Sequence, residues 1–413
     1  LQYPPGLEYV TSYIEARPAK GRTDQVSQFF GLQAFLEEYL TRPISSYDIH
    51  EAKLLCKQHG VPFNEDGWWH ILREHNGYLP LTIQALPEGG VYPRGTPLVQ
   101  VNNTDPKCAW LVSFIETALL RAIWYPSSVA TRSFMLKAII YDAMIKSCDT
   151  TDGLPFKLHD FGARGVSSAG SAMLGGMGHL VNFQGTDTME ALVAAQQFYG
   201  FEGAAGFSIP ASEHSTITSW GREREVAAYE NMIDQFGGGL FSNVSDSYDL
   251  WNAVSGIYGE KLKEKILAMP GKLIVRPDSG DPVLVPIETL ERLWAAFGGT
   301  VNSKGFKVLN PKVGVIQGDG LDDETLAFLV TAVMNAGFSI DNIAFGMGGG
   351  LLQDHMRDDM RFAMKVNAVK FAGATEWVDV AKDPKTDPSK RSKAGRQAVI
   401  IDTSTNQVHP VRE

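Results

Sequence analysis

Four aspartates follow short apolar runs, each where a strand is predicted to end. They are Asp187, Asp246, Asp278 and Asp319. A single aspartate in such a position usually caps the next helix by accepting backbone N–H groups. Several carboxylates on one rim repel each other, so the arrangement needs a metal ion, cations or sugar hydroxyls as partners. The pattern predicts a rim suited to ribose hydroxyls and Mg²⁺.

A glycine-rich loop, Gly346-Met-Gly-Gly-Gly350, follows the apolar run Asn342–Phe345 and precedes a predicted helix from Leu351. Glycines let backbone N–H groups approach a phosphate closely, and a helix start adds favourable partial charge. Tight turns also need glycine, so the loop alone leaves both interpretations open. Further cations follow it in the chain: Arg357, Lys365, Lys382, Lys385, Lys390, Arg391, Lys393 and Arg396.

Such a run of basic residues is often only a solvated surface. Here it stands in a chain of net charge −10, which favours a polyanionic ligand such as pyrophosphate. His214, in Ser208-Ile-Pro-Ala-Ser-Glu-His-Ser-Thr216, is a candidate nucleophile or acid–base group, or a hydrogen-bonded structural histidine. His159 and His179 lie in or beside apolar runs and are predicted to be structural.

Composition restricts the class of protein. The 413 residues are 44% hydrophobic and 20% charged, which is typical of a soluble globular protein. The acidic balance argues against nucleic-acid and membrane-surface partners, which need a basic face. The three scattered cysteines indicate reduced thiols and a cytoplasmic protein. The sequence shows no apolar run of about 18 residues for a membrane span, and we expect no signal peptide. It also lacks HExxH, paired CxxC and Walker A patterns, which argues against metalloprotease, zinc and P-loop classes.

The elements that must position these residues follow two different secondary-structure patterns in two parts of the chain. Over residues 1–150, helical periodicity marks Ser27–Leu40, Ser46–His59 and Cys108–Lys146, and alternation over Leu81–Val101 predicts a pair of strands. This is an α+β region. We expect the strand-like tail Gln397–Val411 to rejoin it, so the predicted α+β domain comprises residues 1–150 and about 381–413.

From about residue 155, seven apolar runs each end in a polar or glycine-rich tip, and a helical stretch usually follows. A spacing of roughly 25–40 residues is that of strand–helix units. The pattern predicts an irregular (β/α) barrel-like domain over about 151–380, with the tips at the carboxyl ends of the strands. An open doubly wound sheet is the alternative, and it also brings the tips to one edge.

Seven ordered motifs resemble the nicotinamide phosphoribosyltransferase family, a group of type II phosphoribosyltransferases. They extend through most of the chain: Lys157-Leu-His-Asp-Phe-Gly-Ala-Arg-Gly-Val-Ser-Ser168, Gly185-Thr-Asp-Thr188, Glu213-His-Ser-Thr-Ile-Thr218, Ser245-Asp-Ser-Tyr-Asp249, Arg276-Pro-Asp-Ser-Gly280, Val315-Ile-Gln-Gly-Asp-Gly320 and Asn342-Ile-Ala-Phe-Gly-Met-Gly-Gly-Gly-Leu-Leu-Gln353. The resemblance implies transfer of a 5-phosphoribosyl group from phosphoribosyl pyrophosphate to nicotinamide, giving nicotinamide mononucleotide and pyrophosphate in NAD salvage.

The resemblance also implies roles for individual residues. Phe161 resembles the aromatic that stacks on the pyridine ring, and Asp187, with Ser208 nearby, the acceptor for the carboxamide N–H₂. The remaining substrate-binding positions resemble contacts to phosphate and ribose; they are Arg164, Arg276, Asp278, Gly318, Asp319, Gly348, Gly349 and Arg357. The basic residues that resemble the pyrophosphate-binding set are Arg17, Lys365, Lys382, Lys390 and Arg391.

His214 resembles the histidine that ATP phosphorylates in this family, so ATP is an expected co-substrate. Mg²⁺ is expected to bind mainly through pyrophosphate, with Asp246 or Asp278 nearby and no direct protein ligand. The resemblance further implies a homodimer with active sites at the interface. The chain departs from the family at Ala163, where tyrosine is common, and at Met347, where serine is.

Three other functions fit part of these patterns. Nicotinate phosphoribosyltransferase shares the chemistry, but Asp187 would repel the carboxylate of nicotinate. A catalytically silent binding protein has no need for mutually repelling charges. A metal-dependent barrel hydrolase fits the aspartates and leaves the glycine loop and lysines unexplained.

Overall fold

The chain folds into two compact units in a computed structural model that describes residues 2–18, 25–402, 404–405 and 408–413. The first unit comprises Leu1–Thr131, Gln197–Gly200 and His355–Glu413. The second comprises Arg132–Gln196 and Phe201–Asp354. The second unit thus ends near residue 354, whereas the sequence pattern predicted an end near 380.

The first unit is built on a five-stranded antiparallel sheet. Its strand order is Val378–Asp379, Ala363–Phe371, Leu7–Glu15, Val99–Asn103 and Leu81–Ala85. The run Leu7–Glu15 is buried from Val10 onward, as expected of a central strand rich in β-branched and aromatic residues. It pairs along its length with Ala363–Phe371, and this pairing places the latter strand in the first unit rather than in the barrel.

Two short antiparallel pairs and several helices complete the first unit. Val26–Gln28 pairs with Val91–Pro93, and Gln397–Ile401 pairs with Val408–Arg412. The helices are Leu32–Phe35 with Leu36–Leu40, Ser46–His59, Glu65–Glu74, Pro106–Cys108, Ala109–Phe114, Pro388–Lys390 and the start of Glu116–Ser147.

Local sequence explains some of these helix bounds. Ser46–His59 is confirmed, because Ser45 and Asp48 form a reciprocal capping box and Gly60 ends the helix in a left-handed conformation. The helix predicted over Ser27–Leu40 begins only at Leu32, since Val26–Gln28 is a strand. Glu65–Glu74 was not predicted.

The long helical prediction Cys108–Lys146 corresponds to two helices that meet at an angle of 42°. Among the described residues, no single helix has the length and apolarity to cross a membrane, although the bent pair Pro106–Phe114 and Glu116–Ser147 passes on those two criteria.

The second unit contains a six-stranded parallel sheet. Its strand order is Gly185–Thr186, Leu158–Asp160, Ile343–Met347, Val313–Gln317, Lys272–Arg276 and Leu240–Val244. The two edges are joined by one further segment, because Phe207 bridges Gly185 and Ala211 bridges Ser242, both in parallel. Within this segment, the Pro210 carbonyl accepts the Ser242 N–H at 2.9 Å. The irregular (β/α) barrel is therefore confirmed over an open sheet.

Helices follow most of the strands. They are Leu154–Phe156, Ala169–Leu180, Met189–Tyr199, His214–Thr218, Arg222–Arg224, Glu225–Phe236, Asn252–Lys261, Lys263–Ala268, Leu284–Phe297, Asp323–Asn335, Ile340–Asn342 and Gly349–Leu352. A hairpin of Gly299–Val301 and Lys307–Leu309 lies between two of them. Since all the barrel strands run in parallel, their polar tips lie at the same end.

Candidate active site

A cavity of about 540 Å³ lies at the carboxyl ends of the barrel strands. This volume is within the usual range for a small-molecule site. Its wall contains many of the residues predicted from the sequence: Phe161, Arg164, Asp187, Arg276, Asp278, Gly318, Asp319, Gly348 and Gly349. Ala163 also lies in the wall. Met347, by contrast, is buried.

The ring of Phe161 is positioned by two glycines on neighbouring strands. A Cβ on Gly346 would lie 2.1 Å from Cε2 of Phe161, and one on Gly318 would lie 3.0 Å from the same atom. On another side the ring meets His159, with centroids 4.8 Å apart at 45°. Because larger residues at the two glycine positions would displace the ring, the glycines fix where an aromatic ligand could stack.

Asp187 is held by two hydrogen-bond donors. Its Oδ1 accepts from Nε2 of His159 at 2.9 Å and from Oγ of Ser208 at 2.5 Å. Burial raises the pKa of Asp187, but these two donors and the charge of Arg276 outweigh it, so the pKa falls below its ordinary value. The carboxylate is therefore ionised at neutral pH and presents only acceptors to a ligand.

The sequence patterns did not predict that His159 belongs to the site. The side chain was predicted to be structural, and it lies 14% exposed beneath Asp187. Gly185 makes room for it, since a Cβ there would lie 2.8 Å from Nδ1 of His159. The available signal was strand alternation: His159 and Phe161 are two residues apart and so share a face. His179 is buried between Ser133 and the Gly185 carbonyl, in agreement with its predicted structural role.

His214 stands between two of the predicted carboxylates. Its Nε2 is 2.9 Å from Oδ1 of Asp246, and its Nδ1 is 3.8 Å from Oδ2 of Asp278. Ser279 donates a hydrogen bond to the other oxygen of Asp246. Because a carboxylate only accepts, Nε2 of His214 donates to Asp246, and Nδ1 is the nitrogen that faces Asp278.

Arg276 lies between two carboxylates, those of Asp278 and Glu213. Its guanidinium lies 3.5 Å from Asp278 and 3.5 Å from Glu213. Burial raises the pKa of Asp278, and the negative charges of Asp246 and Asp319 add to this effect. Arg276 and His214 lower the pKa, but the net result is a raised pKa. Glu213 was missed as a site residue, and its position next to His214 in the chain was the only signal.

The glycine loop leads into the helix Gly349–Leu352, with Gly348 as its N-cap. The first backbone N–H groups of a helix have no acceptor within that helix, so they can donate to a ligand. Arg132, which the sequence analysis did not select, fixes the loop by donating to the carbonyls of Gly350 and Asp354 and pairing with Asp323.

The predicted pyrophosphate-binding residues, and Arg357, belong to the first unit. The pKa of Lys365 is lowered by burial and by the nearby charges of Arg17, Lys382 and Arg357, although Glu116 raises it. These four cations therefore form one cluster. Lys390 and Arg391 are exposed and lie 3.4 Å from Asp387 and 3.9 Å from Asp383, so acidic residues of the same loop partly neutralise them.

The carboxyl end of the barrel thus places an aromatic ring, several carboxylates and arginines, and a glycine loop around one cavity. A profile of the nicotinate phosphoribosyltransferase (NAPRTase) family matches residues 156–411, and one for the nicotinamide phosphoribosyltransferase N-terminal domain matches residues 1–83. The chain is 51% identical over 410 residues to a nicotinamide phosphoribosyltransferase of Xanthomonas campestris, covering 98% of this chain and 86% of that protein. It is 32% identical to one of Acinetobacter baylyi, covering 95% and 84%.

Solved structures agree on the fold. A nicotinate-nucleotide pyrophosphorylase from Pyrococcus furiosus matches with a TM-score of 0.58 at 17% identity, covering 98% of this chain and 78% of that one. Human nicotinic acid phosphoribosyltransferase matches with a TM-score of 0.56 at 19% identity, covering 88% and 71%. The chain belongs to the nicotinamide phosphoribosyltransferases of the NAPRTase family.

Proposed function

We propose that this chain transfers the 5-phosphoribosyl group of phosphoribosyl pyrophosphate to nicotinamide, giving nicotinamide mononucleotide and pyrophosphate. The observation that carries the proposal is Asp187, an ionised acceptor in the wall of the same cavity as Phe161. A carboxamide donates N–H to such a group. Nicotinate would bring a second negative charge to it, and this repulsion distinguishes the two bases.

The reaction breaks the bond between ribose C1 and pyrophosphate and forms a bond from C1 to the pyridine nitrogen. The attacking nitrogen carries no proton, so no general base is required. Positive charge develops on the ribose in the transition state, and the carboxylates of Asp278 and Asp319 stabilise it. Phe161 and Asp187 hold the base in the orientation that attack requires.

Pyrophosphate is the leaving group, and its charge must be neutralised. In the proposal, the residues that bind the substrate phosphate are Arg164, Arg357 and the N–H groups of Gly348 and Gly349, and those that bind pyrophosphate are Arg17, Lys365, Lys382, Lys390 and Arg391. We propose that Mg²⁺ is held mainly by pyrophosphate oxygens and water, with Asp246 or Asp278 nearby. When bound, Mg²⁺ neutralises charge on the leaving group.

ATP is the proposed co-substrate, with His214 as the group it phosphorylates. In the neutral imidazole, Nδ1 would have the free lone pair, because Nε2 donates to Asp246. Nδ1 would attack the terminal phosphorus of ATP, ADP would leave with the electrons of the broken bond, and water would later release phosphate. Asp246 stabilises the positive charge that the phosphorylated imidazole carries.

Assembly and location complete the proposal. We propose a homodimer whose active sites are completed at the interface, and a cytoplasmic location, in keeping with the acidic composition and the three free cysteines. Neither nucleic acid nor a membrane is a proposed partner.

The test is to supply the protein with phosphoribosyl pyrophosphate and Mg²⁺, then nicotinamide or nicotinate separately, with and without ATP, and to measure mononucleotide formation. We expect product from nicotinamide and faster formation with ATP. Product mainly from nicotinate would identify a nicotinate phosphoribosyltransferase. Binding of either base without product would identify a silent binding protein.

A further inference from the structure

Two histidines and an aspartate of the first unit converge on one point outside the active site. Nε2 of His70 lies 2.7 Å from Oδ2 of Asp105, and Nε2 of His75 lies 2.6 Å from the same oxygen. The two imidazole rings are nearly perpendicular, with centroids 5.6 Å apart. All three potential ligand atoms lie within 4.8 Å of one another.

Backbone structure brings these side chains together. Helix Glu65–Glu74 ends immediately before His75, whose φ of −120° is outside the helical range. Five residues along a continued helix would place the two rings about 140° apart around its axis, so the helix end is what allows them to converge. The Thr104 N–H donates to the Pro80 carbonyl at 2.9 Å and brings Asp105 to the segment that follows His75.

Asp105 is oriented by contacts that involve neither imidazole. Its Oδ1 accepts the Lys107 N–H at 2.7 Å, and its carbonyl accepts from Asn103 Nδ2 and from the Cys108 N–H. Oδ2 is thereby aimed at the two histidines. Burial alone would raise the pKa of Asp105, but the donors from His70, His75 and Lys107 lower it to about 2, so the carboxylate is ionised at neutral pH.

Two imidazoles and one carboxylate are a ligand set that zinc accepts, with a fourth position for water. The side chains of His70, His75 and Asp105 are 16%, 29% and 14% exposed, which leaves solvent a path to that position. Tetrahedral bonds of about 2.0–2.1 Å place ligand atoms about 3.3 Å apart, so each imidazole would move about 0.6 Å from the carboxylate oxygen.

We propose that His70, His75 and Asp105 bind one Zn²⁺ ion, which ties the end of helix Glu65–Glu74 to the turn after strand Val99–Asn103. The site has no sequence motif, because its ligands come from a helix end and a distant turn. Its function is structural: an ion bound only to the folded chain stabilises the first unit. The proposal is independent of the phosphoribosyl transfer.

The test uses the full chain, freed of metal with a chelator and equilibrated with Zn²⁺ alone at pH 7.5, without pyrophosphate. Bound zinc is measured after dialysis by elemental analysis, and the melting temperature is recorded with and without Zn²⁺. We expect one zinc per chain and a rise in melting temperature of several degrees. The substitutions His70→Asn and His75→Asn should each lose both effects while their circular dichroism stays native.

A matched control is His59→Asn, because His59 is an exposed histidine in the last turn of helix Ser46–His59. It should bind zinc as the unsubstituted chain does. The proposal is overturned if the unsubstituted chain retains no zinc, or if His70→Asn and His75→Asn retain the same amount. In either case the three residues form only a hydrogen-bonded group.

Discussion

Two histidine–aspartate pairs on the barrel rim have the same separation and opposite exposure. In one, His159 is 14% exposed and Asp187 is 48% exposed, with 2.9 Å between Nε2 and Oδ1. In the other, His214 is 44% exposed and Asp246 is 8% exposed, again at 2.9 Å. The partner that reaches solvent is the one that can meet a ligand.

Under the proposed function, this difference gives the same pair of side chains two different roles. A mostly buried imidazole that donates to an exposed carboxylate orients an acceptor, which suits recognition of an amide. A buried carboxylate that accepts from an exposed imidazole orients a nucleophile, which suits phosphoryl transfer. The residue types are identical, so the packing around each pair decides its role.

The largest expected effect is at the acceptor of the first pair. Asp187→Ala removes a hydrogen bond to a charged group, which contributes about 1.5–3 kcal/mol. We therefore expect kcat/KM for nicotinamide to fall about 100-fold and the preference over nicotinate to shrink with it, as measured by initial rates with each base. An unchanged ratio of the two kcat/KM values would remove Asp187 from base recognition.

The next effect concerns the second pair. His214→Asn should abolish stimulation by ATP, so rates with and without ATP become equal, because Asn has no nucleophilic nitrogen. Radiolabel from the terminal phosphate of ATP should remain on the unsubstituted protein after rapid acid-free quenching and be absent from the variant. If ATP still stimulates the His214→Asn variant, phosphoryl transfer does not belong to the His214–Asp246 pair.

A smaller effect is expected at the buried member of the first pair. His159→Phe removes one of the two side-chain donors that orient the Asp187 carboxylate, so KM for nicotinamide should rise about fivefold with little change in kcat. Gly185→Ala should give the same pattern, because its Cβ would crowd the His159 ring. A change confined to kcat would mean that His159 acts on the chemistry rather than on base recognition.

The smallest expected effect is a difference between the pH at which kcat declines and the pH at which KM for nicotinamide rises. The pKa of Asp278 is raised, chiefly by burial, and that of Asp187 is lowered by its donors. As pH falls, Asp278 is therefore protonated first, and kcat should decline before KM for nicotinamide rises. Ser208→Ala removes one donor from Asp187 and should move the rise in KM to higher pH. The reverse order in the unsubstituted enzyme would contradict these assignments.

Much of the barrel and its rim could be predicted from the sequence. A strand must bury its apolar run and a parallel strand must be followed by a crossover, so repeated runs with polar tips define both the strands and the end at which Asp187, Asp278 and Asp319 meet. The capping box at Ser45 fixed one helix start from local chemistry alone. Roles of individual residues came from the family resemblance instead.

Other features depended on contacts between distant parts of the chain. The strand Ala363–Phe371 lies in the first unit because it pairs with Leu7–Glu15, and nothing local to it distinguishes that sheet from the barrel. His159 and His214 are the same residue type, and only the packing around them decides which is less exposed.

The sequence by itself determined the residue types, the strand and helix periodicities and the order of the polar tips, because these follow from local backbone and side-chain preferences. Tertiary structure alone decided the closure of the barrel through Phe207 and Ala211, the opposite exposure of the two pairs, and the convergence of His70 and His75 on Asp105. The physical reason is that burial, hydrogen-bond partners and ligand geometry are properties of neighbours in space, which the spacing of residues along a chain does not specify.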